Sequence, residues 1–470
     1  RRACSRSGCL TKWFRAQPAV SSREAPERHR ANVAPHLAPR RPVRRADGPG
    51  RGRRVPPLQA IAANVISWLL VLLRVRVPAL RLGRKGADSA VLVLSPGGFE
   101  RFALEPLPVE SVVTVGYNVT APTVERLPTC NSLARLPDGP PPGHAIVRIQ
   151  AFSVNYADVT IRWGLYESAI KYVGYPICPG FDLAGVVERV GPGASVQEGD
   201  TVVGITFFGA YSERVLVPCH QLFAVPKGMS IAQAAALPSV SGTALHALAL
   251  AGLWPSLPAS RNRAVLVHSA AGGVGSMLVQ MAKAIGCHPI VAVVGASHKV
   301  AACEALGATA VIDKSKEDLW SAASKAAPGG YCAIFDANGV QTLARSYSAL
   351  AQTGTLVIYG FHTNLPTSSM LNPLAWARML VGILRMPRFD PMDLVLSSKS
   401  VAGFNLSFFA DETRMVGRYF EQILAWVDDG SLALSNVTTF PMDELPRAHE
   451  SIQSGQSVGK LVCLTRHAGD

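Results

Sequence analysis

Two spacings of apolar residues divide the chain after its N-terminal extension. From Ser89 to about Ala236, short runs of β-type residues alternate with turns that contain Gly and Pro, such as Gly191-Pro192-Gly193. The main predicted strands of this part are Ala90–Leu94, Ala145–Ile149, Gly185–Val190, Asp200–Thr206 and Tyr211–Val217. Short strands at close spacing, with turn residues between them, predict a β-barrel-like domain.

After Leu237 the pattern alternates between strand and helix periods. Ala264–His268 is predicted as a buried strand, and Ser276–Ile285 as a helix with one apolar face. The elements predicted to follow are Ile290–Val294, Ser297–Leu306, Ala310–Ile312, Ala333–Asp336, Gln341–Ala351 and Thr355–Tyr359. Strands that alternate with helices in this way predict βαβ units and a doubly wound parallel sheet, so the fold class is α/β.

The C-terminal part is less regular. Asn372–Pro391 is an apolar helix candidate that contains three Arg, and Ser400–Phe409 reads as a β-type run. A helix from about Glu412 to Val427 and two short strands, Val437–Phe440 and Lys460–Leu464, are predicted to close the chain.

Composition separates a globular body from a basic extension. Hydrophobic residues make up 48% of the 470 residues and charged residues 17%, which excludes a wholly disordered protein. Residues 1–54 hold 15 Lys+Arg against 3 acidic residues, which leaves 31 Lys+Arg against 29 Asp+Glu in the rest of the chain. The body is nearly neutral despite the net charge of +14, so we expect it to bind no nucleic acid.

Residues 1–85 are predicted to be a disordered or targeting extension with an uncharged hydrophobic segment at 55–73. Its Arg-rich, acid-poor composition is typical of an organelle transit peptide, which would direct the protein to a chloroplast or mitochondrion. A nucleic-acid arm or an inert upstream stretch are alternatives, and the protein is cytoplasmic if the extension is not a transit peptide. The segment 55–73 could be part of a targeting signal or a membrane anchor.

Nine Cys, odd in number and widely spaced, form no C-x-x-C pair. This spacing favours a reducing compartment and is unlike a disulfide framework or a zinc knuckle.

A glycine-rich loop lies between the strand Ala264–His268 and the following helix. Gly272, Gly273, Val274 and Gly275 would let the backbone turn tightly and approach a pyrophosphate at the helix N-terminus. A loop at this place in a βαβ unit predicts a dinucleotide site.

The end of the next strand indicates which dinucleotide binds. The stretch 293–299 contains no carboxylate to grip the ribose hydroxyls of NAD, whereas Ser297 and Lys299 could bind a 2′-phosphate. Lys314, after the third strand, could add a second cation. The sequence therefore predicts NADPH rather than NADH.

Motifs along the body carry a resemblance to one family. These motifs are Ser153–Asp158, Arg162–Tyr166, Pro179–Val187, Gly209–Glu213, Ala271–Gly275 and Val458–Val462. Over roughly residues 89–466 the chain resembles the zinc-free quinone-oxidoreductase (zeta-crystallin-like) branch of the medium-chain dehydrogenase/reductases. Phe389–Asp393 and Gly403–Leu406 look most like the subgroup of vesicle amine transport protein homologues.

The resemblance implies a GroES-like β-barrel catalytic domain and a Rossmann nucleotide domain. The expected division is 86–236 for the first part of the catalytic domain, 237–410 for the NADP-binding domain and 411–470 for the return to the catalytic domain. It also implies a homodimer joined through Ser400–Phe409. Ser269 is a mild departure, because many relatives have Ala there.

Zinc-dependent relatives have a Cys after the first catalytic strand and a Gly-His-Glu where this chain has Gly180-Phe181-Asp182. Phe181 cannot ligate a metal, and Cys178 lacks a companion Cys, so we predict no catalytic zinc. Without a Lewis acid, the acceptor of the hydride must carry its own electron sink, as a quinone or an α,β-unsaturated carbonyl does.

Asn155 and Tyr166 match active-site positions of the family and are the predicted hydrogen-bond donors to the oxyanion that forms. Tyr156 is a further candidate as a wall of the cleft, and Thr243 as a nicotinamide contact. Lys460, in the closing motif, completes the predicted coenzyme site. His246 and His268 lie in apolar runs and are interpreted as core residues.

Two alternatives to this function stay open at the level of sequence. One is a membrane-associated, vesicle-protein-like or lipid-handling protein with little turnover, since a fold does not dictate a function. The other is an enoyl reductase of fatty-acyl substrates. Peripheral membrane contact through Asn372–Pro391 would fit the first of them.

Overall fold

The computed structural model describes residues 87–108, 110–114, 125–127, 132–362, 373–409 and 412–469. The predicted extension 1–85, with its hydrophobic segment 55–73, lies outside the described residues. Within those described ranges, no helix combines the length and the apolar character needed to cross a membrane.

The first half of the body is built on β-structure. A hairpin of β1 (Ser89–Val93) and β2 (Phe102–Pro106) stands beside a ten-stranded sheet. That sheet contains β3 (Ser111–Thr114), β4 (Glu125–Arg126), β5 (Leu133–Arg135), β6 (His144–Val154), β7 (Asp182–Val190), β8 (Thr201–Ile205), β9 (Arg214–Pro218), β10 (Leu222–Ala224), β17 (Val437–Pro441) and β18 (Lys460–Leu464). The long strand β6 pairs antiparallel with β7, β9 and β18, and this is the GroES-like part of the fold.

The second half contains a six-stranded sheet in which all strands are parallel. Its strands are β11 (Val265–Val267), β12 (Ile290–Val294), β13 (Ala310–Asp313), β14 (Tyr331–Asp336), β15 (Leu350–Ile358) and β16 (Ser400–Gly403). Their order in space is β13-β12-β11-β14-β15-β16, the doubly wound order of a Rossmann domain. The predicted α/β fold class is confirmed.

Twelve helices connect and cover these sheets in the described part of the chain. They are α1 (Tyr156–Arg162), α2 (Glu167–Tyr172), α3 (Ile231–Ala236), α4 (Pro238–Leu250), α5 (Gly273–Ile285), α6 (Val300–Ala305), α7 (Leu319–Ala326), α8 (Leu343–Ser348), α9 (Pro373–Leu384), α10 (Pro391–Ser397), α11 (Thr413–Asp428) and α12 (Leu445–Gln453).

The helix that follows the glycine-rich loop, α5, packs against the rest of the domain through the apolar face that the sequence predicts. Met277, Leu278, Met281 and Ile285 are all buried against the parallel sheet and its neighbouring helices. Burial of each such side chain contributes roughly 1.5–3 kcal/mol. The helix ends at Gly286, whose φ of +90° is the left-handed conformation that favours glycine at a helix C-terminus.

Several predicted elements have other bounds in the structure; β6, for example, continues to Val154 rather than ending at Ile149, and β9 starts at Arg214 rather than Tyr211. The helix expected at Gln341–Ala351 ends at Ser348, because Leu350 already pairs with β14. The helix candidate Asn372–Pro391 ends at Leu384, and a second helix starts at Pro391.

The strand expected over Ser400–Phe409 stops at Gly403 and is followed by a 3-10 turn at Leu406–Phe409. It ends there because the side-chain oxygen of Asn405 accepts hydrogen bonds from the backbone N–H and the hydroxyl of Ser407. This local turn competes with continuation of the strand.

The C-terminal strand brings the two halves together at one place. β18 lies antiparallel to β6, with Leu461 opposite Val154. Just before it, Gly459 forms an isolated bridge to Gly272 in the glycine-rich loop. Lys460 is thereby placed between the end of β6 and the start of α5.

Candidate active site

A cavity of about 1190 Å³ is lined by residues from both sheets. Ligands of doubly wound folds bind beyond the C-terminal ends of the parallel strands, and this cavity includes residues from that edge. Its charged wall residues are Lys299, Lys314 and Lys460; within the described ranges, no Asp, Glu or Arg lines it. This excess of positive charge favours an anionic group in part of the cavity.

The glycine corner, residues 269–275, is shaped by close packing. A Cβ added to Gly275 would lie 2.4 Å from the carbonyl oxygen of Ser269, and one added to Gly273 would lie 2.8 Å from two neighbouring side chains. Gly275 therefore requires glycine because its neighbours are backbone atoms, whereas a side chain at Gly273 would have to displace Lys460 and Val240. Gly272 is the extended N-cap of α5, so the unpaired N–H groups and the helix dipole beside it fit a phosphate. Gly272, Gly273 and Gly275 line the cavity with Val274.

The two lysines predicted to hold a ribose phosphate have different environments. Lys314 lines the cavity, and its ammonium makes no hydrogen bond to another described residue. Lys299 Nζ donates to the carbonyl oxygens of Gly455 at 2.7 Å and Ser457 at 3.0 Å. Partial burial lowers the pKa of Lys299, and nearby Lys314 lowers it further. Lys314 is thus the more available cation.

Ser297 does not line the cavity. Its hydroxyl donates to Asp313 Oδ2 at 2.6 Å, and Asp313 also accepts from the backbone N–H and hydroxyl of Ser315. These hydrogen bonds, with that of Ser297 the largest, lower the pKa of Asp313. The stretch 293–299 contains no carboxylate, but Asp313 on the neighbouring strand lies beside it and binds the hydroxyl predicted to contact phosphate.

Asn155, a predicted catalytic donor, is bound at both ends of its amide. Its Nδ2 donates to Asp182 Oδ2 at 2.8 Å, and its Oδ1 accepts from Lys460 Nζ at 2.7 Å. Lys460 Nζ is also 3.7 Å from Asp182 Oδ2, and the hydroxyl of Ser153 donates to the same carboxylate oxygen. Both Asp182 and Lys460 are buried. Lys460 therefore contacts Asn155 rather than pointing into open space.

A second buried carboxylate, that of Asp158, holds the backbone beside Asn155. Asp158 accepts hydrogen bonds from the backbone N–H of Asn155 at 2.8 Å and of Gly180 at 3.1 Å. Burial raises the pKa of Asp158 to about 7, and the neighbouring carboxylate of Asp182 adds to this effect. Burial also lowers the pKa of Lys460, opposed by both carboxylates. We call Asn155, Asp158, Asp182 and Lys460 the Asn155 cluster.

The two predicted tyrosines differ in what their hydroxyls contact. Tyr166 OH donates to Asn405 Oδ1 at 3.1 Å, so its proton is engaged within the protein. Tyr156 OH lies 3.5 Å from the carbonyl oxygen of His362, a long hydrogen bond. Both tyrosines line the cavity, as does Thr243 on α4. Burial raises the pKa of Tyr156 to about 12, which keeps this hydroxyl protonated at neutral pH.

The two histidines set aside on sequence grounds are core residues in the structure. His246 is 7% exposed and its Nδ1 lies 2.8 Å from the hydroxyl of Tyr419. His268 is fully buried, with Nε2 3.0 Å from the hydroxyl of Ser346.

Comparisons with known proteins agree with this architecture. Residues 273–421 match the family described as zinc-binding dehydrogenase, and residues 141–227 match the alcohol dehydrogenase GroES-like domain. The human synaptic vesicle membrane protein VAT-1 homolog is 31% identical over 330 residues, which are 70% of this chain and 80% of that protein. This chain belongs to the VAT-1 homologue family. It is thereby a medium-chain dehydrogenase/reductase of the quinone-oxidoreductase-like branch, as the motifs predict.

Two further similarities place this VAT-1 homologue among its relatives. A probable quinone oxidoreductase of Schizosaccharomyces pombe is 29% identical over 331 residues, 69% of this chain and 90% of that protein. The crystal structure of Escherichia coli quinone oxidoreductase complexed with NADPH superposes with a TM-score of 0.62 at 22% identity. The match covers 80% of this chain and 99% of that one, and it shows the shared fold.

The donor set of this VAT-1 homologue does not fit a zinc ion in the cavity. In the part of the chain that the structure describes, one group of His, Cys, Asp and Glu has suitably close ligand atoms, namely Asp88, Glu213 and His467. These residues do not line the cavity, and Arg466 is ion-paired with both carboxylates. The buried thiol of Cys178 donates to the carbonyl oxygen of Tyr211.

Five residues of the site were missed in the sequence: Asp158, Asp182, Asp313, His362 and Asn405. Asp182 opens β7, which pairs with β6, so the antiparallel pairing places it near Asn155. Asp313 ends β13 beside the end of β12, an adjacency that the order of a parallel sheet predicts. His362, whose pKa burial lowers to about 4, and Asn405 follow strand ends at the same edge, but no sequence signal marks them.

Proposed function

We propose that this VAT-1 homologue is an NADPH-dependent oxidoreductase that reduces a quinone or an α,β-unsaturated carbonyl without zinc. The observation that carries the proposal is one cavity that joins the glycine corner and Lys314 to the hydroxyl of Tyr156. The glycine corner and Lys314 fit the phosphates of the coenzyme, and the hydroxyl of Tyr156 fits the oxygen of an acceptor. The Escherichia coli quinone oxidoreductase of similar fold was solved with NADPH.

The glycine corner would hold the pyrophosphate by the backbone N–H groups at the start of α5, and Lys314 would contact the 2′-phosphate. When bound, the coenzyme supplies a hydride, and one proton from water completes the reduction of a quinone to a hydroquinone or of an enone to a saturated ketone. The two electrons of the hydride thus pass to the acceptor together with both hydrogens.

Tyr156 would donate a hydrogen bond to the acceptor oxygen, where negative charge develops as the hydride arrives. We favour it over Asn155 and Tyr166 because its own bond to the His362 carbonyl is long at 3.5 Å, whereas the other two donors are engaged within the protein. Loss of one such donor typically raises the barrier by about 3 kcal/mol. The Asn155 cluster would have a positioning role, because its hydrogen bonds hold the cavity wall around Asn155 in place.

Zinc independence follows from the same chemistry. Among the described residues of the cavity wall, His220 and His362 are accompanied by hydroxyl and amide groups but by no Cys, Asp or Glu, so a set of zinc ligands is missing. An acceptor with a conjugated carbonyl delocalises the developing charge, so a Lewis acid is not needed.

The test uses the full chain with NADPH and a panel of quinones and enones in the presence of a zinc chelator. We expect turnover that the chelator leaves unchanged, and zinc analysis well below one ion per chain. Tyr156→Phe should lower kcat by about 100-fold. Tyr347→Phe removes an exposed hydroxyl bound to Asp393 and serves as the matched control. Full turnover by Tyr156→Phe would contradict the role of this hydroxyl.

A second candidate function, membrane association, is favoured by the surface of α10. Met392, Val395 and Leu396 are 64%, 73% and 78% exposed. This helix lies next in sequence to β16, the outer strand of the parallel sheet, through which the expected homodimer would form. Flotation of the full chain with anionic vesicles would favour the membrane, whereas sedimentation as a dimer that does not float would favour the subunit contact.

A further inference from the structure

Away from the glycine corner, the cavity is walled mainly by aromatic and aliphatic side chains. We call this part the apolar arm and define it by Tyr166, Phe181, Phe404, Leu406, Met415, Tyr419 and Phe420. The ring centroids of Tyr166 and Phe181 are 5.9 Å apart, and the ring of Phe420 is stacked on that of Phe223 with 4.2 Å between centroids. Residues just before α2 and β7, residues after β16 and residues of α11 thus line the same cavity.

The charged wall residues all belong to the other part of the cavity. Lys299 is bound to the 455–457 loop, Lys460 to Asn155, and Lys314 lies beside Gly295. No Asp, Glu, Lys or Arg among the described residues lines the apolar arm.

The polar atoms of the arm are largely satisfied within the protein. Tyr166 OH donates to Asn405, and the Tyr419 hydroxyl lies 2.8 Å from His246 Nδ1. Of the remaining polar wall residues near it, Thr206 and Gln221 are uncharged, and His220 is exposed. A ligand in the arm therefore meets apolar surface and few open hydrogen-bonding groups.

We propose that the apolar arm binds an extended hydrocarbon chain, so that the acceptor is a neutral quinone or enone with a long apolar substituent. The inference rests on the proposed function and names its substrate class. A cavity of about 1190 Å³ exceeds the usual range of about 300–1,000 Å³ for small-molecule sites, which leaves room beside a coenzyme. A charged tail would be disfavoured because none of the seven residues of the arm carries a charge at neutral pH.

The first experiment compares acceptors that differ only in their tail, with the full chain and saturating NADPH. The probes are 2,3-dimethoxy-5-methyl-1,4-benzoquinone without a tail, with a decyl tail and with a decyl tail that ends in a carboxylate. But-3-en-2-one and a long-chain 1-alken-3-one form the parallel pair of enones. Each buried methylene favours binding up to roughly fourfold, so we expect kcat/KM to rise at least tenfold with the decyl tail. The terminal carboxylate should cancel most of that gain.

Two variants test the arm itself. A Cβ on Gly242 would meet only Leu406, at 3.4 Å, so Gly242→Leu should project into the arm and lower the ratio of long-tail to tail-free kcat/KM at least fivefold. Met415→Lys should raise kcat/KM for the carboxylate tail relative to the decyl tail. Leu396→Gln, on the exposed surface of α10, is the matched control and should leave both ratios unchanged.

The outcomes separate this inference from the proposed function. If no acceptor of any length oxidises NADPH, the proposed function fails. If tail-free and long-tail acceptors react equally well, or if Leu396→Gln alone removes the preference for long tails, the apolar arm is not the tail site and the inference is overturned. A failure of Gly242→Leu to fold would leave the Met415→Lys ratio to decide.

Discussion

The glycine corner and the Asn155 cluster adjoin each other beside one cavity but are built in opposite ways. The corner is a single stretch, residues 269–275, that offers backbone N–H groups and needs the absence of side chains. The cluster joins residues 155, 158, 182 and 460 from distant parts of the chain, and it works through buried, charged side chains.

This difference has physical consequences. Damage at the corner is steric and local, because a methyl group added at Gly275 meets backbone atoms that cannot move without the turn. Damage at the cluster is electrostatic and global, because removal of one charge leaves another buried without its partner. We therefore expect the corner to control coenzyme affinity and the cluster to control the stability of the fold around the site.

The largest expected effect is on stability, from Lys460→Met. The variant keeps the length of the side chain, but Asp182 loses its buried counter-ion and the side-chain oxygen of Asn155 loses its donor. Loss of one partner of a buried ion pair costs about 3 kcal/mol or more in the free energy of unfolding. Urea unfolding of the full chain measures it, with the exposed Lys325→Met as control. Equal stability of the two variants would show that the cluster is not a structural unit.

The next effect is on coenzyme affinity, from Gly275→Ala. Its Cβ would lie 2.4 Å from the Ser269 carbonyl oxygen, so the corner must open and we expect NADPH to bind about 100-fold more weakly. Gly417→Ala, in the middle of α11 with open space around it, is the matched glycine control. Calorimetric titration distinguishes them, and unchanged affinity in Gly275→Ala would mean that the coenzyme binds elsewhere.

A smaller effect on coenzyme affinity distinguishes Lys314 from Lys299. Lys314→Met should weaken NADPH about tenfold and leave NADH nearly unchanged, because the lost contact is to the 2′-phosphate. Lys299→Met should change the affinities for both coenzymes by the same factor, because its ammonium is bound to the 455–457 loop. A selective loss of NADPH in Lys299→Met, with none in Lys314→Met, would reverse the assignment.

Measured over one pH unit, the smallest effect is a pH dependence of stability at Asp158. Its pKa is raised from 3.8 to about 7, so the folded chain holds a proton that the unfolded chain loses in that range. The resulting stabilisation is present at acid pH and is lost as the pH rises through about 7. Relative to Asp158→Asn, the free energy of unfolding of the unmodified chain should fall by up to about 1.4 kcal/mol per pH unit between about pH 4 and 7. Parallel pH profiles of the two proteins would contradict the raised pKa.

The same contrast explains what the sequence could predict. The glycine corner is contiguous and lies between a strand and a helix, so local patterns locate it and the sheet around it. Lys460 and Asn155 are 305 positions apart, and Tyr166 and Asn405 are 239 apart. Such contacts depend on tertiary packing, so the engagement of Asn155 and Tyr166 within the protein could not be read from spacing.

Local hydrogen bonding accounts for the other differences. Ser297 was expected to face a phosphate, but the strand order brings Asp313 beside it and the two side chains bond to each other. The β-type run after Ser400 was expected to continue to Phe409, and the side chain of Asn405 ends it.

The most direct test of the account is a single turnover. The full chain, saturated with one equivalent of NADPH in chelator-treated buffer, is mixed with excess decyl-substituted benzoquinone, and the absorbance of the reduced nicotinamide is followed. We expect complete loss of that absorbance at one coenzyme per chain. Bound coenzyme that stays reduced in the presence of the quinone would contradict it.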